Sequence, residues 1–146
     1  MATSTLVQSL SQDGTVSNRR QTETFIANEV FAAADIGTIA MVDGTQTGSD
    51  QLLKVKKATA VALGNGKAVG VVLNAAAVGE RVELVVAGHA STVRSAGSIS
   101  AGTVVTACPA GQAGKILAAV AADVARPFGV VLTTGTSPEC WIYPQF

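Results

Sequence analysis

The chain has 146 residues, 48% of them apolar but only 4% aromatic and 14% charged, and its ten Lys and Arg balance ten Asp and Glu. That balance excludes the low-hydrophobicity, high-charge composition of a disordered chain and the basic stripe that meets nucleic-acid phosphates, so no nucleic-acid partner is expected. No apolar run reaches the roughly 18 residues of a membrane-spanning helix, so no membrane partner is expected.

In chain order, residues 1–24 are rich in Ser, Thr, Gln and Asn, and Leu6, Val7, Leu10 and Val16 among them show no period. The segment reads as a flexible or extended N-terminal arm. It lacks the basic start and continuous apolar core of a secretory signal, which points to a protein made in the cytoplasm. Arg19 and Arg20, and farther on Lys54, Lys56 and Lys57, come closest to a basic cluster and read as solvated loop or strand edge.

From Phe25 the texture changes to apolar runs of four to seven residues, broken by Gly, Asp-Gly, Gly-Asn-Gly or Pro. This is the pattern of an all-β domain. The clearest predicted strands are Gly37–Val42, Gln51–Val55, Ala68–Leu73, Glu80–Ala87, Thr103–Ala107, Phe128–Leu132 and Cys140–Tyr143. Asp43-Gly44 and Asn65-Gly66 are turn dipeptides. The Ala-rich stretches Ala58–Leu63 and Ile116–Ala125 fit a short helix or a strand equally well.

An internal repeat organises these runs. Gly70-Val71-Val72-Leu73 recurs as Gly129-Val130-Val131-Leu132 at an offset of 59, which also brings Glu80 onto Glu139 and Lys67 onto Arg126. Upstream, Ile36-Gly37-Thr38-Ile39 matches Ala101-Gly102-Thr103-Val104 at an offset of 65, so copy one carries six extra residues, assigned to a longer hairpin loop at Asp43–Gln51. The matched anchors run from about Ala33 to Ala87 and from Ser98 to Phe146. The expected fold is all-β: two related small β-barrel or sandwich-like units, residues 25–97 and 98–146, packed as one compact body after the arm at 1–24.

Under this alignment Glu139–Gln145 is equivalent to Glu80–Val86. Trp141 and Tyr143 then take the inward positions of Val82 and Leu84, while Cys140, Ile142 and Pro144 face outward. That outward face lacks charge and ends at Phe146, so an apolar patch would stand in water unless covered. Cys140, Ile142, Pro144 and Phe146 are therefore the candidate subunit interface, with packing under a loop or the arm of the same chain as the other possibility.

Catalytic signatures are weak. The lone His89 reads as a turn residue at a strand end, and with Cys108 and Cys140 it has no close metal-ligand spacing, so no metal or other cofactor is expected. Two cysteines make no disulfide framework and read as reduced, small apolar residues. An enzyme built on Cys108 or Cys140 would need His89 within hydrogen-bond reach of the thiol. Gly64-Asn65-Gly66-Lys67-Ala68-Val69-Gly70 misses both the dinucleotide and the phosphate-loop patterns, and no carboxylate pair stands out. Lipoyl and biotinyl carriers need a Lys at a hairpin tip, and Met41 has none beside it. The chain is not expected to be an enzyme.

The strings AADIGTIAMVDG, KAVGVVLNAAAVGERVELVVAG, SISAGTVVTACPAGQAGKI and RPFGVVLTTG, within Phe25–Phe146, resemble the capsid decoration or cement proteins of tailed bacteriophages. The resemblance implies a small all-β protein on the outer capsid surface of the virion, commonly a homotrimer at local three-fold positions. It would bind the major capsid protein and stabilise the DNA-filled head. Leu6, Val7, Leu10, Val16, Arg19 and Arg20 would then lie on a capsid-binding arm, whose 24 residues span at most about 80 Å. The alternative is a head-fibre or surface-adhesion module that binds host glycans, for which Trp141 and Tyr143 are the available aromatics.

Overall fold

The computed structural model describes residues 19–48, 53–58, 68–107, 113–119 and 127–144. Among them are nine strands: β1 (Arg20–Ala27), β2 (Ile39–Val42), β3 (Lys54–Lys57), β4 (Ala68–Val72), β5 (Arg81–Ala90), β6 (Val104–Ala107), β7 (Ile116–Ala118), β8 (Gly129–Val131) and β9 (Cys140–Ile142). The fold is all-β, as expected, with a single 3-10 turn among the described residues at Ala33–Asp35. The strands follow the order β1-β3-β2-β4-β5-β9-β8-β6-β7, and β1 also pairs with β5.

That last pairing closes the first five strands into a barrel, which leaves none of them with an open edge. Period-two alternation sends Phe25, Ala27, Ala40, Val55, Val82, Leu84 and Val86 into its interior with Phe31 and Val72, and a register shift in the β2–β4 pairing, between Ala40↔Gly70 and Met41↔Ala68, turns Val69 inward as well. The remaining strands make a second, similar ring. Here β9 pairs with the end of β5 through Gly88↔Ile142, His89↔Trp141 and Ala90↔Cys140. β8, β6 and β7 follow, and a parallel bridge from Ser95 to Ile116 brings the ring back towards β5.

Strand β5 explains how one chain holds two units. Its first part, Arg81–Gly88, lies against β1, and its last three residues serve the second ring. Gly88 makes the changeover possible. It has φ +86°, and a Cβ there would stand 2.3 Å from the Arg19 carbonyl oxygen.

The two copies share their hydrogen bonds as well as their letters. Thr38 and Thr103 each donate from N–H to the carbonyl three residues upstream and accept from Val72 and Val131 respectively. The Gly37 N–H donates to Val72 and the Gly102 N–H to Val131. Gly70 and Gly129 are equally constrained: a Cβ would lie 2.3 Å from the Val85 carbonyl oxygen in one and 2.4 Å from that of Trp141 in the other. The parallel pairing Ala27↔Val55 in copy one corresponds to Ser95↔Ile116 in copy two. The shared pattern therefore reaches back ahead of Ser98, towards Val93, whose N–H donates to Pro138.

The predicted strands Gln51–Val55 and Glu80–Ala87 become Lys54–Lys57 and Arg81–Ala90, and two other boundaries shift for local reasons. Gly37 turns with φ +89°, so β2 starts at Ile39. Residues 20–24, assigned to the arm, are the first part of β1 and pair with β5 from Arg20↔Gly88 to Thr24↔Glu83. Of the two ambiguous Ala-rich stretches, Ile116–Ala118 is a strand; Thr59–Leu63 and Asn65-Gly66 lie outside the described residues. The six extra residues of copy one divide between two connections, since Val55 is equivalent to Ile116 and Ala68 to Pro127.

Candidate functional site

The strand facing predicted for the last strand is reversed, and its hydrogen bonds show why. The Leu73 N–H donates to Glu83, and the Leu132 N–H donates to Glu139. The Glu83 N–H in turn donates to Asn74 Oδ1 at 2.7 Å, while the Glu139 N–H donates to Thr133 Oγ1 at 2.9 Å. Glu139 therefore corresponds to Glu83, not to Glu80. The β8–β9 connection is three residues shorter than its counterpart, and an odd shift sends every following side chain to the other face.

Cys140 and Ile142 consequently take the inward places of Leu84 and Val86, and both are 0% exposed within the single chain. They offer no surface to a second subunit, which corrects their placement in the candidate interface. Pro144 is exposed; Phe146 lies outside the described residues. Trp141 takes the outward place of Val85 and is 36% exposed, and Tyr143 is half-buried. Arg19 and Arg20 are exposed, while Leu6, Val7, Leu10 and Val16 lie outside the described residues.

The corrected register reveals a matched pair of outer rows. In copy one, cross-strand partners Ile39, Val71 and Val85 form a row across β2, β4 and β5. All three are buried, packed with Val93, Ile99, Ile116 and Phe128 of copy two in a continuous cluster. In copy two the equivalent row is Val104, Val130 and Trp141 across β6, β8 and β9. Val104 is 37% exposed, and Leu132 and Leu117 on the same outer side are exposed as well. Cross-strand neighbours of this kind stand about 4.5–5.5 Å apart, so these side chains make one patch rather than scattered residues.

His89 continues this row, opposite Trp141 in β5. It lies inside the strand rather than in the turn expected for it, and is 4% exposed. Its Nε2 lies 3.2 Å from a Glu139 carboxylate oxygen, whereas Nδ1 has no partner. Cys140 points the other way, into the second ring, with Sγ 3.9 Å from the Pro138 carbonyl oxygen. Burial pushes its thiol pKa up to about 12, so it stays protonated and unreactive at neutral pH. Thiol and imidazole face opposite sides of the sheet, and the pairing a Cys–His nucleophile requires is not formed with Cys140. Cys108 lies outside the described residues. No group of three or more metal-ligating side chains occurs among the described residues, and among them no helix is long and apolar enough to cross a membrane.

The buried Asp43 was legible only as half of a turn dipeptide. Its carboxylate accepts from the Thr45 N–H at 3.1 Å, the Thr45 hydroxyl at 2.8 Å and the Asn28 amide at 2.5 Å, and Lys56 Nζ lies 3.3 Å away. Burial opposes its charge, but these donors outweigh it and hold the pKa far below the usual carboxylate range. Every strong acceptor site is occupied by the chain itself. The arrangement pins the loop after β2 and leaves no oxygen poised for chemistry.

No family model matches the chain. No curated protein matches it either. Among solved structures the chain is similar to the N base of head fiber gp8.5 of bacteriophage phi29, with a TM-score of 0.52 and 15% identity over 84% of this chain and 92% of that one. The likeness extends over nearly the whole of both chains and shows a shared fold.

Proposed function

We propose that this chain is a non-enzymatic structural protein of a bacteriophage head. In the finer reading, it is a decoration or cement protein that binds the outer surface of the major capsid protein shell, as a homotrimer, and stabilises the DNA-filled head. The observation that carries the reading is the likeness of the duplicated barrel fold to the phi29 head fiber base. Supporting it are the repeat strings that resemble decoration proteins and a buried thiol held protonated on the opposite side of the sheet from the imidazole.

The physical role follows from assembly. A protein that binds only the assembled shell stabilises that shell by mass action, and many identical contacts on one particle act together. Residues 1–18 precede the described fold and are long enough to reach a neighbouring capsid subunit; ordering them costs entropy that the new contacts must exceed.

The experiment compares phage heads made with and without the protein. The purified chain should add back to bare heads at a fixed stoichiometry, and decorated heads should retain DNA to a higher temperature. Failure to bind heads, or equal heat stability of decorated and bare heads, would overturn the cement role. Glycan binding, the other expectation, calls for two open aromatic rings side by side, whereas Trp141 is partly exposed beside a half-buried Tyr143.

A further inference from the structure

The first barrel encloses a chemically weak point of the chain. In an Asp-Gly pair the backbone nitrogen of glycine, unshielded by a side chain, can attack the aspartate Cγ. The neutral carboxyl loses its OH together with the amide proton as water, a cyclic imide closes, and water reopens the imide at either carbonyl. Opening at the backbone carbonyl routes the main chain through the side-chain methylene and leaves isoaspartate, with no net change of atoms. Asp43-Gly44 is such a pair, and it directly follows β2.

Imide closure requires the carboxyl to be neutral and to turn over the following peptide. Around the buried Asp43 both are opposed. Oδ1 accepts from the Thr45 N–H at 3.1 Å and the Thr45 hydroxyl at 2.8 Å, with Lys56 Nζ 3.3 Å away, while Oδ2 accepts from the Asn28 amide at 2.5 Å. Turning the carboxylate breaks these bonds, and protonating it takes an acceptor from part-buried donors. The backbone is held too: the Asp43 N–H donates to the Lys54 carbonyl at 3.0 Å, and the Asp43 carbonyl accepts from the Gln46 N–H at 3.2 Å. Copy two shows that these side chains belong together. Cys108-Pro109 stands in the place of Asp43-Gly44 at the offset of 65, and Ala96, Ala110 and Leu117 stand where copy one has Asn28, Thr45 and Lys56. Where the carboxylate is absent, so are the side chains that hold it.

We infer that Asp43-Gly44 is an isoaspartate-forming site that the fold keeps closed, with Asn28, Thr45 and Lys56 as the clasp. Its protection belongs to the folded chain and is lost whenever the loop after β2 opens. Isomerisation there would add a methylene to the main chain between β2 and β3 and carry away the two backbone bonds of Asp43. The inference concerns the covalent chain and needs no phage head, so its failure is separate from failure of the proposed function.

The test holds the full chain at mildly acidic pH, either folded or in urea, and follows the peptide containing residue 43 by fragmentation that distinguishes the two linkages. Peptide resolution is needed because Asp13-Gly14 and Asn65-Gly66 lead to the same linkage. Isoaspartate at position 43 should accumulate at least about tenfold more slowly in the folded chain, the factor by which each unit of pKa depression cuts the neutral carboxyl. Lys56→Met and Asn28→Ala should each accelerate it several-fold in the folded state, with circular dichroism unchanged. Lys57→Met, in the same strand but with its ammonium 2.7 Å from Asp35 instead, should not. Equal rates in folded and unfolded wild type would overturn the inference without any variant. So would clasp variants that fold and keep the wild-type rate, or a Lys57→Met chain that reacts as fast as Lys56→Met.

Discussion

Replacing Ile142 by Ala tests the facing of the last strand and with it the whole assignment of surfaces. Ile142 is 0% exposed, pairs with both Gly88 and Gly129, and belongs to the cluster shared by the two barrels. The change removes three buried methyl or methylene groups, about 2.4 kcal/mol of transfer energy at roughly 0.8 kcal/mol each. The adjoining strands have little room to close the gap, because β8 and β9 already pack so closely that a Cβ added at Gly129 would lie 2.4 Å from the Trp141 carbonyl oxygen. A cavity term therefore adds to the loss, for a total of about 3–4 kcal/mol within the usual range for such truncations. For a chain of this size that lowers the Tm by roughly 10 °C. Urea unfolding followed by circular dichroism at low protein concentration measures it, with the slope unchanged and the midpoint reduced. A loss under about 1 kcal/mol, far below the range for a buried truncation, would mean that Ile142 faces solvent, and would restore the alignment of Glu80 with Glu139.

Four further outcomes are expected. Asp43→Asn should destabilise at pH 7 by about 1–3 kcal/mol, because a buried charged acceptor is lost. Since the folded-state pKa of Asp43 is depressed, its contribution is present above the ordinary carboxylate pKa of 3.8 and lost as pH falls below it; the gap between wild type and variant in urea should narrow from about pH 5 to about pH 2. Gly129→Ala should cost about 1–3 kcal/mol by forcing strands apart, whereas Gly97→Ala, where an added Cβ meets nothing within 4 Å, should be neutral in the same assay. In a Cys108→Ser background, Cys140 should resist thiol reagents until the protein unfolds. Deletion through Thr24 should lower the thermal midpoint below that of the chain lacking residues 1–18 alone, because the longer cut removes five of the residues that β1 pairs with β5.

The strands that could be read in the sequence are those whose conformation is stabilised by side-chain burial. Ala68–Val72 and Arg81–Ala90 announce themselves through Val and Leu between turn residues, and the repeat of Gly-Val-Val-Leu marks equivalent strands in the two barrels. β1 could not be read that way. Arg20–Thr24 are exposed, and what holds them is backbone pairing with β5, which leaves no apolar pattern in the sequence. The facing of β9 was hidden by a coincidence of letters. Glu80 and Glu139 stand at the same offset as the glycines, but the equivalence of Glu139 with Glu83 is carried by Thr133 acting where Asn74 acts in copy one. Two different side chains that accept the same backbone N–H make an equivalence that residue identity does not display.

The corrected register also changes what the low charge content means. Inward positions are apolar in both copies, as packing requires: Val55 and Ile116, Leu84 and Cys140, Val86 and Ile142. Outward positions are under no such demand, and a protein surface in water is ordinarily polar there. On the outer row, however, copy two has Val104, Val130 and Trp141 where copy one has the buried Ile39, Val71 and Val85, and it has Leu117 where copy one has Lys56. Copy one's row is apolar because copy two covers it. Copy two's row has the same character and greater exposure, so its composition fits a surface that is also covered, and zero net charge on the chain leaves little repulsion to oppose close approach of another copy.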